Sequence, residues 1–261
     1  MPRANRYRLP GNAWHITHRC HRQEFLLKFA RDRRCWRTWL FEARKRFNLC
    51  VLDYMVTSNQ IHLLLLDRGQ DEIPQSMQLI AGRTAQAYNQ RKGRRGAYWE
   101  DRYHATAVEA GEHLLRCLVY IDLNMVRAGV VTHPADWEIC GYREIQHPPE
   151  RFCIIDIPAL LELLGIPDAQ TLRMLHRKWI EETLKTEESA RDEIWSQSLA
   201  VGSRQFVEDF QAKLGAQALH RGIESHDTGH CLREARARYG NLLLETHTLS
   251  TKNVVFLDER V

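Results

Sequence analysis

The sequence predicts an α+β sandwich: an antiparallel sheet with helices packed against it, then a mainly helical C-terminal extension. Three observations predict it. Strand-like and helix-like segments alternate in the order β-α-β-β-α-β-α up to about residue 146. His147-Pro148-Pro149 then breaks the chain, and short helical units follow. Over 261 residues, 44% hydrophobic and 27% charged content is that of a globular protein and excludes a disordered tail protein.

Residues 13–20, AWHITHRC, mix β-branched, aromatic and polar residues as a half-buried strand does. Residues 24–47 read as a long amphipathic helix: Phe25, Phe29, Trp36, Leu40 and Phe47 recur at helical spacing with arginines and lysines between them. CVLDYMVTSNQIHLLLLDRG reads as two strands, 50–57 and 61–67, joined by the turn Ser58-Asn59-Gln60. Pro74 sits in the first turn of a second helix, 74–91. A basic turn, KGRRGAYW, leads to a strand over 98–109. A third helix, 111–127, is stopped by Gly129. Beyond the breaker, helices are expected at 158–165, 168–185 and 203–214. Residues 220–240 show weak periodicity, and NVVFLDERV reads as a strand or a docking tail. The expected division is a domain over 1–150 and an extension over 151–261.

Net charge is +4 but uneven. Residues 1–50 carry 13 Lys/Arg against 3 Asp/Glu, a local +10, whereas residues 151–261 carry 14 against 17. A basic front half suits a polyanion such as nucleic acid; the alternative is a solvated helix face. The seven cysteines, at 20, 35, 50, 117, 140, 153 and 231, form no CxxC pair and read as reduced thiols in a cytoplasmic protein. No apolar run approaches a membrane span, and no apolar segment follows the basic N-terminus, so neither membrane insertion nor secretion is expected.

Three pieces combine into a candidate site. On a strand, Gln60 and His62 point the same way. On a helix, Tyr120 and Asn124 share a face. A strand offering two ligands and a helix offering a third beside a tyrosine suits metal-assisted attack of a phenol on phosphorus. Between them, Arg91, Arg94, Arg95 and Arg102 with Tyr98 and Trp99 form a basic, aromatic stretch of the kind that holds single-stranded nucleic acid. Taken singly, His62 reads as a buried core histidine and Tyr120 as core; only the combination points to chemistry. The cluster His15, His18, Cys20, His21 has metal-like spacing, but strand alternation splits it between two faces. His104 is expected to pack.

The segments RLPGNAWHITHRC, VTSNQIHLLL, AGRTAQAYNQRKGRRGAYWEDRY and VYIDLNMVRAGVVTHPADW together resemble the REP-associated tyrosine transposases, within the single-tyrosine HUH transposases. The resemblance covers roughly residues 1–146. It implies an HUH-type, ferredoxin-like fold with Tyr120 as nucleophile and Asn124 assisting a divalent cation, Mg²⁺ or Mn²⁺, with His62. It also implies DNA as partner, as a hairpin with a single-stranded flank contacted by the basic stretch and Arg8, by a monomer or homodimer. The family's strand motif is usually His-hydrophobic-His; here it is Gln60-Ile61-His62. A glutamine offers only a neutral amide oxygen, so the expected activity is cleavage and rejoining through a 5′-phosphotyrosine, weakened at Gln60. The alternative is a hairpin-binding protein that does not cut.

Overall fold

The computed structural model describes residues 9–186, 193–226 and 229–234. Its strands are β1 (Ala13–Arg19), β2 (Cys50–Val56), β3 (Gln60–Leu66), β4 (His104–Val108), β5 (Ala200–Gly202), β6 (Arg221–His226) and β7 (Gly229–Glu234). Its helices are α1 (Ala30–Phe47), α2 (Glu72–Lys92), α3 (Glu112–Asp122), α4 (Asn124–Arg127), α5 (Gly141–Gln146), α6 (Ile157–Leu164), α7 (Ala169–Lys185), α8 (Ile194–Gln197) and α9 (Arg204–Leu214). One sheet runs β2-β3-β1-β4-β5-β7-β6. The first four strands are antiparallel in the ferredoxin-like order expected. The sheet as a whole is mixed, because β5 lies parallel to β4. No helix among the described residues is long and apolar enough to cross a membrane.

Register decides which side chains meet. Thr17 on β1 pairs with His62 on β3 and with His104 on β4, and His15 pairs with Leu64 and Thr106. Alternation therefore puts His15, Thr17, His62, His104 and Thr106 on one face. Trp14, Ile16, His18, Ile61 and Leu63 take the other, where α2 packs: Ala81 of α2 accepts a bond from Trp99, whose ring stacks on His18. The opposite face receives α3 and α8. Its buried layer mixes apolar side chains with His15, His62, Thr106 and His176 and with two buried carboxyls, Asp53 of β2 and Asp122 of α3. Residues 141 and 53 approach so closely that a Cβ on Gly141 would lie 1.8 Å from an Asp53 oxygen.

Several boundaries differ from expectation for identifiable reasons. The first helix starts at Ala30, not residue 24, because Arg22 and Gln23 adopt positive φ and the chain turns there. Leu26 and Leu27 are buried after that turn, and Phe25 and Phe29, which pass as helix-stripe residues, are exposed. The strand expected over 98–109 is ordered as β4 only from His104; before it, residues 99–100 bond to the end of β1. The 111–127 helix divides at Leu123 into α3 and α4 and ends at Gly129, whose φ is 65°. The three C-terminal helices lie where expected, N-capped by Asp156, Asp168 and Ser203. The weakly periodic 220s form the hairpin β6–β7, so the extension adds three strands to its helices. NVVFLDERV lies outside the described residues.

Candidate active site

The turn between β2 and β3 is held by Thr57. Its Oγ1 donates to the Gln60 carbonyl at 2.8 Å and accepts the Gln60 amide at 2.9 Å. This fixes Gln60 at the first position of β3, where its side chain lines a cavity of about 420 Å³. Tyr120 and Asn124 line the same cavity from α3 and α4, with Arg127, Met125, Asn59 and Phe25 around them. His62 stands behind Asn124, its Nε2 3.1 Å from the Asn124 amide nitrogen. Gln60 and His62 of β3, Tyr120 of α3 and Asn124 of α4 are thus brought together.

Two further side chains belong to this constellation. Arg127, two helical turns after Tyr120, places its guanidinium 4.2 Å from the Tyr120 ring centroid and donates to the Tyr120 carbonyl. His15 stacks on His62, with ring centroids 5.3 Å apart, and its Nε2 lies 3.1 Å from His62 Nδ1. Its Nδ1 lies 2.7 Å from the Trp195 carbonyl. Burial pushes the His15 pKa down to about 4, so the ring is neutral at neutral pH. The Tyr120 ring meets His15, His62 and Trp195 at 6.0 to 6.2 Å. Asp122, two residues on, accepts from His176 of α7 at 2.7 Å and from the Tyr142 amide at 3.0 Å. The helix carrying Tyr120 is therefore tethered from the C-terminal region.

The cavity has an anion-receiving character. Among the described residues its one charged lining residue is Arg127, and no carboxylate lines it. Gln60 and Asn124 offer amide oxygens and His62 an imidazole nitrogen. This donor set suits a divalent cation once the Asn124 amide nitrogen yields the His62 Nε2 it now faces, but it supplies no negative charge. Among the described residues, the group of His, Cys and carboxylate ligand atoms close enough to share an ion is elsewhere, Glu224, His226 and Cys231 in the β6–β7 hairpin. The spacing cluster at 15–21 does not assemble: His18 bonds to the Asp101 carbonyl and stacks on Trp99, away from His15.

The basic stretch is arranged differently from expectation. Tyr98 is 2% exposed and packs edge-on against Tyr88 and Trp99, so it presents no ring to a base. Trp99 is half-buried on His18. Arg91 pairs with Asp32, and Arg94 with Glu24 at 3.5 Å. Arg95 and Arg102 are exposed. Arg8 lies outside the described residues. His104 packs as expected, its Nε2 3.0 Å from the Ser198 carbonyl. The exposed aromatic at the cavity is Phe25, 65% exposed, with Val130 at the same rim. Sequence reasoning missed Arg127, whose i+7 spacing from Tyr120 was visible. It also missed Phe25 and the His15–Trp195 contact, which spans 180 residues and left no local signal.

A tyrosine, two amides and an arginine around one cavity, with an imidazole behind them on a ferredoxin-like sheet, suit a protein that handles phosphodiesters. Residues 12–124 match the family model of IS200-like transposases. Two solved structures are similar. One is a REP-associated tyrosine transposase bound to a REP hairpin, 18% identical, covering 60% of this chain and 94% of that one, with a TM-score of 0.47. The other is described as a transposase from Deinococcus radiodurans R1, 18% identical, covering 44% of this chain and 88% of that one, with a TM-score of 0.32. A search of curated proteins gives no match.

Proposed function

We propose that the chain is a DNA strand transferase that cleaves single-stranded DNA beside a hairpin, with Tyr120 as nucleophile. The observation that carries this reading is the cavity itself: Tyr120, Asn124 and Gln60 line it beside Arg127, and the His62 imidazole stands directly behind Asn124. The Tyr120 oxygen forms a bond to phosphorus while the P–O3′ bond breaks. The products are a 5′-phosphotyrosine and a 3′-OH, which takes up a proton. The phenol proton passes to solvent water. The link conserves the phosphodiester bond energy, so rejoining needs no external energy source.

Gln60, Asn124 and His62 would hold a divalent cation, Mg²⁺ or Mn²⁺, which when bound would polarise a phosphate oxygen. With three neutral ligands, the DNA phosphate must supply the balancing charge. Arg127 holds positive charge over the Tyr120 ring and favours both an approaching phosphate and a phenolate. Phe25 offers a stacking face to a flank base; Arg95 and Arg102 offer phosphate contacts.

Gln60 favours a second reading, binding of the same hairpin without cutting, since an amide replaces the imidazole of the family motif. A labelled hairpin with a single-stranded flank separates the two. With Mn²⁺ present, the first reading expects a shortened strand with a free 3′-OH, absent with Tyr120→Phe. Tight binding with no shortened strand would leave the second.

A further inference from the structure

We infer that the C-terminal region completes the active site: the Trp195 carbonyl, acting through His15, fixes the tautomer of His62 that turns an unprotonated Nε2 toward Asn124. This rests on the reading of His62 as a ligand, and makes His15 a positioning residue.

The chain of bonds has one consistent proton assignment. A carbonyl oxygen only accepts, so His15 Nδ1, 2.7 Å from Trp195 O, carries the proton. From the other end, the Asn124 amide nitrogen only donates, so His62 Nε2 accepts from it and the His62 proton sits on Nδ1, 3.1 Å from His15 Nε2. His62 donates there, and its Nε2 keeps a lone pair, 3.1 Å from the Asn124 amide. Which nitrogen of an imidazole is available to a ligand is set by the bond its other nitrogen makes.

The anchor is built, not incidental. Trp195 belongs to α8, and the strand that follows, β5, is locked to β4 by parallel pairing of Ala107 with Ala200 and Val108 with Val201. Ala107 donates to the Leu199 carbonyl at 2.8 Å. Thr106 donates to the carbonyls of Ser198 at 2.7 Å and Trp195 at 3.2 Å. These bonds set the height of the Trp195 carbonyl over the sheet face that bears His15. His15 is fully buried, one hydrogen bond further from the cavity than His62, so it acts through His62 and not on a substrate.

The test is ring-¹⁵N NMR of the full chain, without metal or DNA, at neutral pH. The His62 and His15 signals are assigned by their loss in His62→Gln and His15→Phe. Wild type is expected to show both rings protonated at Nδ1 and unprotonated at Nε2. His15→Phe, which keeps the bulk and removes both nitrogens, is expected to shift His62 toward a mixture of tautomers and to weaken Mn²⁺ binding about 10–100-fold. A proton on Nε2 of either ring in wild type would overturn the proposal, as would an unchanged His62 spectrum in folded His15→Phe. If His15→Phe does not fold, the wild-type spectrum still decides. The expected tautomers in a protein that never cuts DNA would instead defeat the cleavage reading and leave this one standing.

Discussion

Phe25 offers the cleanest separation of DNA recognition from folding. It is 65% exposed at the cavity rim, and the chain around it is held by others: Leu27 donates to the Ser58 carbonyl at 2.9 Å and is itself buried. Phe25→Ala therefore removes a ring and little packing, and its effect on stability is expected within about 0.5 kcal/mol. A base stacked on an aromatic ring contributes about 1–3 kcal/mol, so loss of the ring should weaken binding of a flanked hairpin about 5- to 150-fold. The assay is fluorescence anisotropy at one fixed salt concentration with three DNAs: hairpin with flank, hairpin with an abasic flank, and hairpin alone. The loss should appear with the first DNA and nearly vanish with the other two. An equal loss on all three, or none on the flanked hairpin, would refute the assignment of Phe25 to flank bases.

Other consequences follow from the buried polar groups and from the ligand set. Gln60→His restores an imidazole at the cavity and should raise both Mn²⁺ affinity and strand cleavage; equal rates for the two proteins on a flanked hairpin would show that Gln60 does not limit the site. His176→Ala strands the Asp122 carboxylate in the core with only the Tyr142 amide, at a cost of about 3–5 kcal/mol. Urea titration should show that drop, with a smaller loss in His176→Ala/Asp122→Asn than in the single variant. Burial raises the Asp53 pKa well above its ordinary 3.8, so the folded state keeps a proton that the unfolded state releases. Stability is thus full at acid pH and is lost as pH rises from about 4 toward the raised value. Asp53→Asn, permanently neutral, should gain on wild type between pH 5 and pH 8, and parallel melting curves at the two pH values would contradict this.

Most of the first 146 residues was legible because their signals are local. The alternation in β1 and β3, the Gly129 stop and the i+4 pair Tyr120–Asn124 each need only a short window of sequence. Register was not legible: His15 joins the site because Thr17 pairs with His62, a fact carried by the whole sheet. Nor was the burial of Tyr98, whose neighbours Arg94 and Arg95 give it the look of a surface aromatic, while the β1 end and α2 close over it. Phe25 failed the other way, since a four-residue step from Phe29 matches a helix that the chain begins only at Ala30. The strands β5, β6 and β7 are short and lie at the edge of the sheet. Only β5 pairs with β4, and β7 and β6 build outward from it, so no internal periodicity marks them.

The central claim is that Tyr120 forms a covalent bond to DNA. Full-length protein incubated with a flanked hairpin and Mn²⁺, digested with protease and nuclease, should yield one peptide carrying a nucleotide 5′-phosphate on Tyr120 by mass spectrometry. Tyr120→Phe should yield none while binding the hairpin within a few-fold of wild type. A nucleotide on Tyr88, Tyr98 or Tyr103, or an adduct that persists in Tyr120→Phe, would contradict the account.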